Sequence, residues 1–247
     1  MSLRSTQLNH WFNTPLGKRL LQQEVDALQQ ILPHLFGYHL LQIGNFGEGC
    51  LLESSRIMHR FILTTTPPVT HSAFSHVYAA VTTLPFASDS LDVVVLPHTL
   101  EFEENPHEIL REVERILIPE GWVVILGFNP ISFWGMWHWL RARYKPAAPW
   151  CGRFLPLLRL KDWLTLLDFE VKEQKTFFYA LPFHNDRCKN FTIILEKMGA
   201  YWLNNFGAVY LIVAKKRVTT LTPIRPKWWL KKALVTGAVS THFEDPR

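Results

Sequence analysis

Two apolar runs dominate the middle of this sequence: Leu91-Asp92-Val93-Val94-Val95-Leu96 and Trp122-Val123-Val124-Ile125-Leu126-Gly127-Phe128. Consecutive rather than alternating apolar positions suit strands buried on both faces, as in a parallel sheet covered by helices. Between the runs lies an amphipathic helix signal. Asn105-Pro106-His107-Glu108 starts it, with Asn as cap, Pro in the first turn and Glu placed to reach back three residues. Ile109, Leu110, Val113, Ile116 and Leu117 form its apolar stripe, and Pro119-Glu120-Gly121 turns the chain into the second strand. A strand–helix–strand unit with buried strands is the repeating element of α/β proteins.

The rest of the chain continues the alternation. Thr14 caps and Pro15 begins a helix over residues 14–32, whose apolar face carries Leu16, Leu20, Leu21, Val25, Leu28, Ile31 and Leu32. A short strand is expected at His39–Ile43, a turn at Gly44–Gly49 and a helix at Cys50–Met58. Further strands are expected at Phe61–Leu63 and Val77–Ala80, with Pro67 and Pro68 keeping the intervening segment irregular. After Phe128 the pattern gives a helix near Lys161–Leu167, a strand at Phe169–Phe177, a helix near Asn190–Leu203 and a last strand at Ala208–Ala214.

A chain of 247 residues buries enough surface for one large domain. We divide it into a body over 1–217, with an N-terminal helical extension over 1–37 and a lid or insertion over 131–160, and a basic tail over 218–247. No apolar run is long enough to span a membrane. The three cysteines, Cys50, Cys151 and Cys188, are far apart, so neither a disulfide framework nor a metal site is expected, and the reading is cytoplasmic. The net charge of +5 is uneven: residues 215–247 hold eight Lys or Arg against two acids, and the remainder is −1. A basic segment holding Trp228 and Trp229 suits an anionic membrane surface or nucleic acid, here through residues 215–232.

Two motifs carry chemistry. Gln42-Ile43-Gly44-Asn45-Phe46-Gly47-Glu48-Gly49 closes the first strand with a glycine turn that lets backbone approach a nucleotide-like ligand. Its spacing is not that of the dinucleotide fingerprint, which argues against a nicotinamide oxidoreductase. The second motif is Leu84-Pro85-Phe86 leading through Ser90-Leu91-Asp92 to Pro97-His98-Thr99-Leu100-Glu101. It continues as Arg111-Glu112-Val113-Glu114-Arg115-Ile116-Leu117-Ile118-Pro119-Glu120-Gly121. In order and spacing this resembles the small-molecule class I S-adenosylmethionine (SAM) dependent methyltransferases over about residues 38–130. Gly127-Phe128-Asn129-Pro130-Ile131-Ser132-Phe133-Trp134-Gly135 is similar to an uncharacterised bacterial branch of that family.

The resemblance implies a Rossmann-like, seven-stranded, mostly parallel sheet whose last strand is antiparallel, with SAM across the carboxyl ends of the first strands. It assigns cofactor contacts to Gln42, Ile43, Gly44, Asn45 and Gly47, to Thr64 and Thr65, to Leu84 on the adenine, and to Leu96, Pro97 and His98 beside the methionine moiety. The family usually has acidic residues where Gln42, Thr65 (or Thr64) and Ala80 stand here. His98, just past a strand end, is a candidate general base, and Asn129 a candidate for orienting an acceptor. The aromatic stretch with Phe133, Trp134, Trp137, Trp139, Tyr144 and Trp150 suits a lid over an apolar acceptor, an interfacial helix or a core-covering helix. The expected activity is SAM-dependent methyl transfer to a small or apolar acceptor, with no metal. A methyltransferase fold that only binds a ligand, and an RNA methyltransferase, stay open beside it.

Overall fold

A computed structural model describes residues 3–44, 47–65, 74–141, 152–179 and 206–217. Seven strands, β1 (His39–Ile43), β2 (His59–Thr64), β3 (Ser75–Tyr78), β4 (Leu91–Pro97), β5 (Leu117–Phe128), β6 (Phe169–Phe177) and β7 (Val209–Lys216), join one sheet in the order β3-β2-β1-β4-β5-β7-β6. β1 to β5 run parallel, and β7 is antiparallel to both β5 and β6. From β1 the chain builds outward through β2 and β3, then returns to place β4 on the other side of β1. The order reverses there, and the crevice at the carboxyl ends of β1 and β4 is the position open α/β sheets use for ligands.

Helices α1 (Leu3–Phe12), α2 (Pro15–Gln29), α3 (Thr99–Phe102), α4 (Pro106–Ile116), α5 (Phe133–Arg141) and α6 (Leu157–Leu166) accompany the sheet. Successive strand residues face opposite sides, so Val93, Val95, Val124 and Leu126 pack with Leu8, Phe12, Leu20 and Leu28 of α1 and α2. Val94, Leu96, Val123 and Ile125 pack with Ile109, Leu110, Val113, Leu160 and Leu164 of α4 and α6. Two-sided burial is the physical reason the central strands read as unbroken apolar runs.

The polar residues inside these runs have structural work. Asp92 Oδ2 accepts from the backbone N–H of Tyr38 and of His39, each at 2.9 Å, and ties the entry of β1 to β4. A Cβ at Gly37 would stand 2.3 Å from Asp92 Cβ, so this approach requires glycine. Arg115 on α4 donates to the carbonyls of Phe86 and Leu84, and Glu112 accepts from the Leu84 N–H. The motif pairing Leu84-Pro85-Phe86 with Arg111–Arg115 is therefore a loop held on a helix by main-chain contacts.

Several expectations change. Thr14 does cap α2, accepting from Gly17 N–H at 3.2 Å, but a further helix, α1, precedes it. The helix expected at Cys50–Met58 is a short 3₁₀ segment, Gly47–Leu52. Asn105 does not cap α4 through its side chain; its amide donates instead to the Glu108 carboxylate at 3.1 Å. The basic segment over 215–232 overlaps the last strand. Lys215 and Lys216 lie in β7, and the ion pairs of Lys215, Lys216 and Arg217 engage Glu120, Asp89, Glu114 and Glu170. These three charges belong to the folded body, so a membrane or nucleic acid contact over 215–232 would have to rest on later residues. The helix expected near 190–203 and the tail 218–247 lie outside the described residues, as do Asn45, Cys151 and Cys188.

Candidate active site at the carboxyl ends of the strands

β1 ends at Ile43, and Gly44 follows with φ of 101°, a conformation open to glycine and strained for other residues. Its N–H donates to the Leu63 carbonyl at 2.9 Å, fixing the turn to the neighbouring strand. Gln42 is fully buried, and its amide donates to the Gly44 carbonyl at 2.8 Å. Thus, where the family usually has a carboxylate, this chain has an amide bracing the glycine turn. Thr64 is buried at the end of β2, and the next residue, Thr65, has a shielded hydroxyl oxygen without a hydrogen-bond partner. An orphaned polar atom costs free energy unless something pairs with it. The resemblance assigns this position to the ribose. Leu84 and Leu96 are buried with Ile109 and Leu110 in the core, while Ala80 is exposed. Gly47 opens the 3₁₀ turn after the glycine loop.

At the end of β4, His98 takes a left-handed conformation with φ of 52° and leads directly into α3. Its ring is fully buried, 4.3 Å between centroids from Phe128 and 5.9 Å from Phe12. Nε2 lies 2.7 Å from Glu24 Oε1 of α2, and Nδ1 lies 3.2 Å from Glu101 Oε2 of α3. Glu101 also accepts from the Phe128 N–H through its other oxygen. Burial alone would lower the imidazole pKa, but the charge of Glu24 and the hydrogen bonds from both carboxylates outweigh it and raise the pKa from 6.5 to about 10. Burial pushes the Glu101 carboxyl upward, against the His98 contact. Burial also drives the Tyr210 phenol well above its ordinary pKa, with the Glu101 charge adding to it. The result is an imidazolium held between two carboxylates.

This geometry bears on both catalytic candidates. With both ring nitrogens turned to carboxylates, His98 in this conformation offers no lone pair to a ligand. Asn129 is buried, its amide donating to the Gly207 carbonyl at 3.0 Å and its oxygen accepting from the Ile131 N–H at 3.0 Å. Those bonds make it the organiser of the β5–α5 turn. Beside it Pro130, Ile131, Ser132, Phe133, Met136 and Phe206 line a cleft of about 260 Å³. Sequence reasoning missed Glu24 and left Glu101 without a role. The signal for Glu24 was its place between Leu20 and Leu28 at four-residue spacing, a charge inside an apolar stripe.

The sheet order, the reversed last strand and the glycine turn at the switch point define a nucleotide-binding α/β class of the methyltransferase type. A family profile described as Methyltransferase domain matches residues 51–125. The uncharacterised protein YafS of Escherichia coli is 35% identical over 213 residues, covering 86% of this chain and 82% of its own length. An uncharacterised protein of Mycobacterium tuberculosis is 28% identical over 177 residues, 70% of this chain and 60% of that protein. Among solved structures, a SAM-dependent methyltransferase of Thermotoga maritima, described as a possible histamine N-methyltransferase, superposes with a TM-score of 0.61 at 18% identity, covering 86% of this chain and 95% of that one. The chain belongs to the class I SAM-dependent methyltransferases, with SAM as methyl donor. Among the described residues no helix is long and apolar enough to cross a membrane.

Proposed function

We propose that this protein transfers the methyl group of SAM to a small, apolar acceptor seated beside α5. The observation that carries the acceptor class is the cleft of Pro130, Ile131, Ser132, Phe133, Met136 and Phe206, largely apolar and set at the carboxyl edge of the sheet. Apolar clefts with a few polar groups are the usual form of small-molecule sites.

The residues present fit the cofactor. The Gly44 turn provides close backbone approach, and the orphaned Thr65 hydroxyl suits a ribose hydroxyl. Gln42, Ile43, Gly47, Thr64 and the Leu96–His98 segment would complete the holding set. When bound, SAM supplies a methyl group activated by a sulfonium. The protein's own part is alignment of the two reactants and exclusion of water, the main catalytic resource for such a displacement. Ser132 anchors the acceptor wall: its hydroxyl donates to the Asn129 carbonyl at 2.6 Å and accepts from the Gly135 N–H at 3.1 Å. His98, held as an imidazolium, serves as a positioning residue that locks α2, α3 and β5 together, rather than as a base.

The test is single-turnover methyl transfer from labelled SAM to a panel of apolar acceptors carrying hydroxyl or amine groups. Transfer to apolar members that Met136→Lys suppresses, with SAM affinity retained, supports the reading. Transfer confined to strongly polar acceptors contradicts it.

A further inference from the structure

Pairing along the central strands stops at different points. β1 and β4 are paired as far as Gln42 and Val95. β1 stays with β2 one residue longer, to Ile43 and Leu63, and β4 stays with β5 to Pro97 and Leu126. The Gly44 N–H then donates to the Leu63 carbonyl and the His98 N–H to the Leu126 carbonyl, each at 2.9 Å. The sheet therefore divides between β1 and β4 where the glycine turn begins, and the Ile43 carbonyl lies beyond the end of the β1–β4 ladder.

A side chain crosses this gap. The Thr99 hydroxyl donates to the Ile43 carbonyl at 2.5 Å, with the Pro97 carbonyl farther off at 3.3 Å. Thr99 is 5% exposed and Ile43 0%, and buried polar groups of this kind need partners. The Ile43 carbonyl and the Gly44 N–H belong to one planar peptide unit. Bonded to Thr99 on one side and to Leu63 on the other, that unit cannot rotate without breaking a buried hydrogen bond. The plane from which Gly44 departs at φ of 101° is thus set from both neighbouring strands. Thr99 is itself held in place, because it opens α3 and its neighbour His98 is gripped by Glu24 and Glu101.

We propose that Thr99 is a positioning residue for the cofactor. Its hydroxyl stands in for the missing ladder bond and keeps the Ile43–Gly44 peptide in the orientation that lets the turn approach SAM. It acts through that peptide rather than by contact with the cofactor. The inference rests on the cofactor lying at this turn.

The experiment is calorimetric titration of the full chain with SAM, paired with denaturant titration, for wild type and variants. Thr99→Ser keeps the hydroxyl and should bind within about twofold of wild type, whereas Thr99→Val keeps the shape without the hydroxyl and should bind about tenfold more weakly. That loss should shrink in a Gly44→Ala background, where the turn is already displaced, and persist in full beside Thr65→Val, whose group acts separately. General destabilisation of the fold would not produce this pattern. Wild-type affinity in Thr99→Val overturns the proposal whatever its stability, as does an equal loss in Thr99→Ser or a loss undiminished by Gly44→Ala. If Thr99→Val does not fold, Thr99→Ala takes its place; if neither folds, the hydroxyl serves the fold rather than the cofactor and the proposal falls. A wild-type protein that binds no SAM overturns the cofactor placement and the proposal with it. Affinity that Gly44→Ala lowers and Thr99→Val does not counts against Thr99 alone.

Discussion

Glu24 Oε1 and His98 Nε2 stand 2.7 Å apart although 74 residues separate them in the chain. The contact joins the N-terminal helix α2 to the end of β4, and Glu101 on α3 completes it from the other side. Both partners are essentially without solvent, at 1% and 0% exposure. Removing one member of such a buried set leaves an uncompensated charge, which typically costs about 3–5 kcal/mol. His98→Gln is therefore expected to destabilise the fold by roughly that amount, and Glu24→Gln by less, because an amide retains part of the hydrogen bond. Denaturant titration of the three proteins measures this; equal stability would remove the coupling role of the triad.

The same set gives a pH dependence of definite sign. The folded pKa of His98 is raised from 6.5 to about 10. Its contribution to stability is fully present below the unfolded value and is lost as pH rises through the folded one. The stability difference between wild type and His98→Gln should thus be largest below pH 6.5 and decline toward pH 10. The groups in play are Glu24 and Glu101 on the imidazole, with Tyr210 coupled to Glu101. Thermal melts of both proteins across this range check the trend, and a difference that grows with pH contradicts the assignment.

Gly44 makes a separate prediction. Its φ of 101° is strained for any residue with a Cβ, so Gly44→Val should displace the turn that approaches the cofactor. SAM affinity is expected to fall by more than about tenfold, or 1.4 kcal/mol, with the sheet intact by circular dichroism. Unchanged affinity would mean that the cofactor lies elsewhere.

Thr65 tests the missing carboxylate. Its unpartnered hydroxyl should be engaged by bound SAM, so Thr65→Val should weaken binding by about 0.5–1.5 kcal/mol, the usual net value of a neutral hydrogen bond. Thr65→Asp should tighten it, by up to about 3 kcal/mol if the new carboxylate is well aligned. Calorimetry with both variants reads the two signs; if both leave affinity untouched, the ribose is held by other groups.

Much of this architecture was legible because central strands buried on both faces must be apolar at every position. Leu91–Leu96 and Trp122–Phe128 announced the sheet, and the spacing from Leu84 to Gly121 announced the family. Contacts made by polar side chains across long distances were not legible. Nothing local in the sequence joins Glu24 to His98 or Lys216 to Asp89, and Lys215 and Lys216, read as the start of the basic segment over 215–232, lie in β7 paired with Glu120, Asp89 and Glu114, with Arg217 just beyond it paired with Glu120 and Glu170. Asn129, read as a candidate for orienting an acceptor, bonds the backbone of its own turn and of Gly207. The Cys50 segment lacked an apolar period long enough to stabilise a full helix, and it forms a 3₁₀ turn.

The central claim is that the carboxyl edge of this sheet holds SAM although Gln42, Thr65 and Ala80 replace the usual acids. Isothermal titration of the purified full chain with SAM and with its demethylated product tests it most directly. The account predicts saturable binding at one site per chain, competition by the product, and a loss of more than about tenfold in Gly44→Val, or 1.4 kcal/mol. A well-folded protein that takes up neither compound, or that binds both as tightly with Gly44→Val as without it, would contradict it.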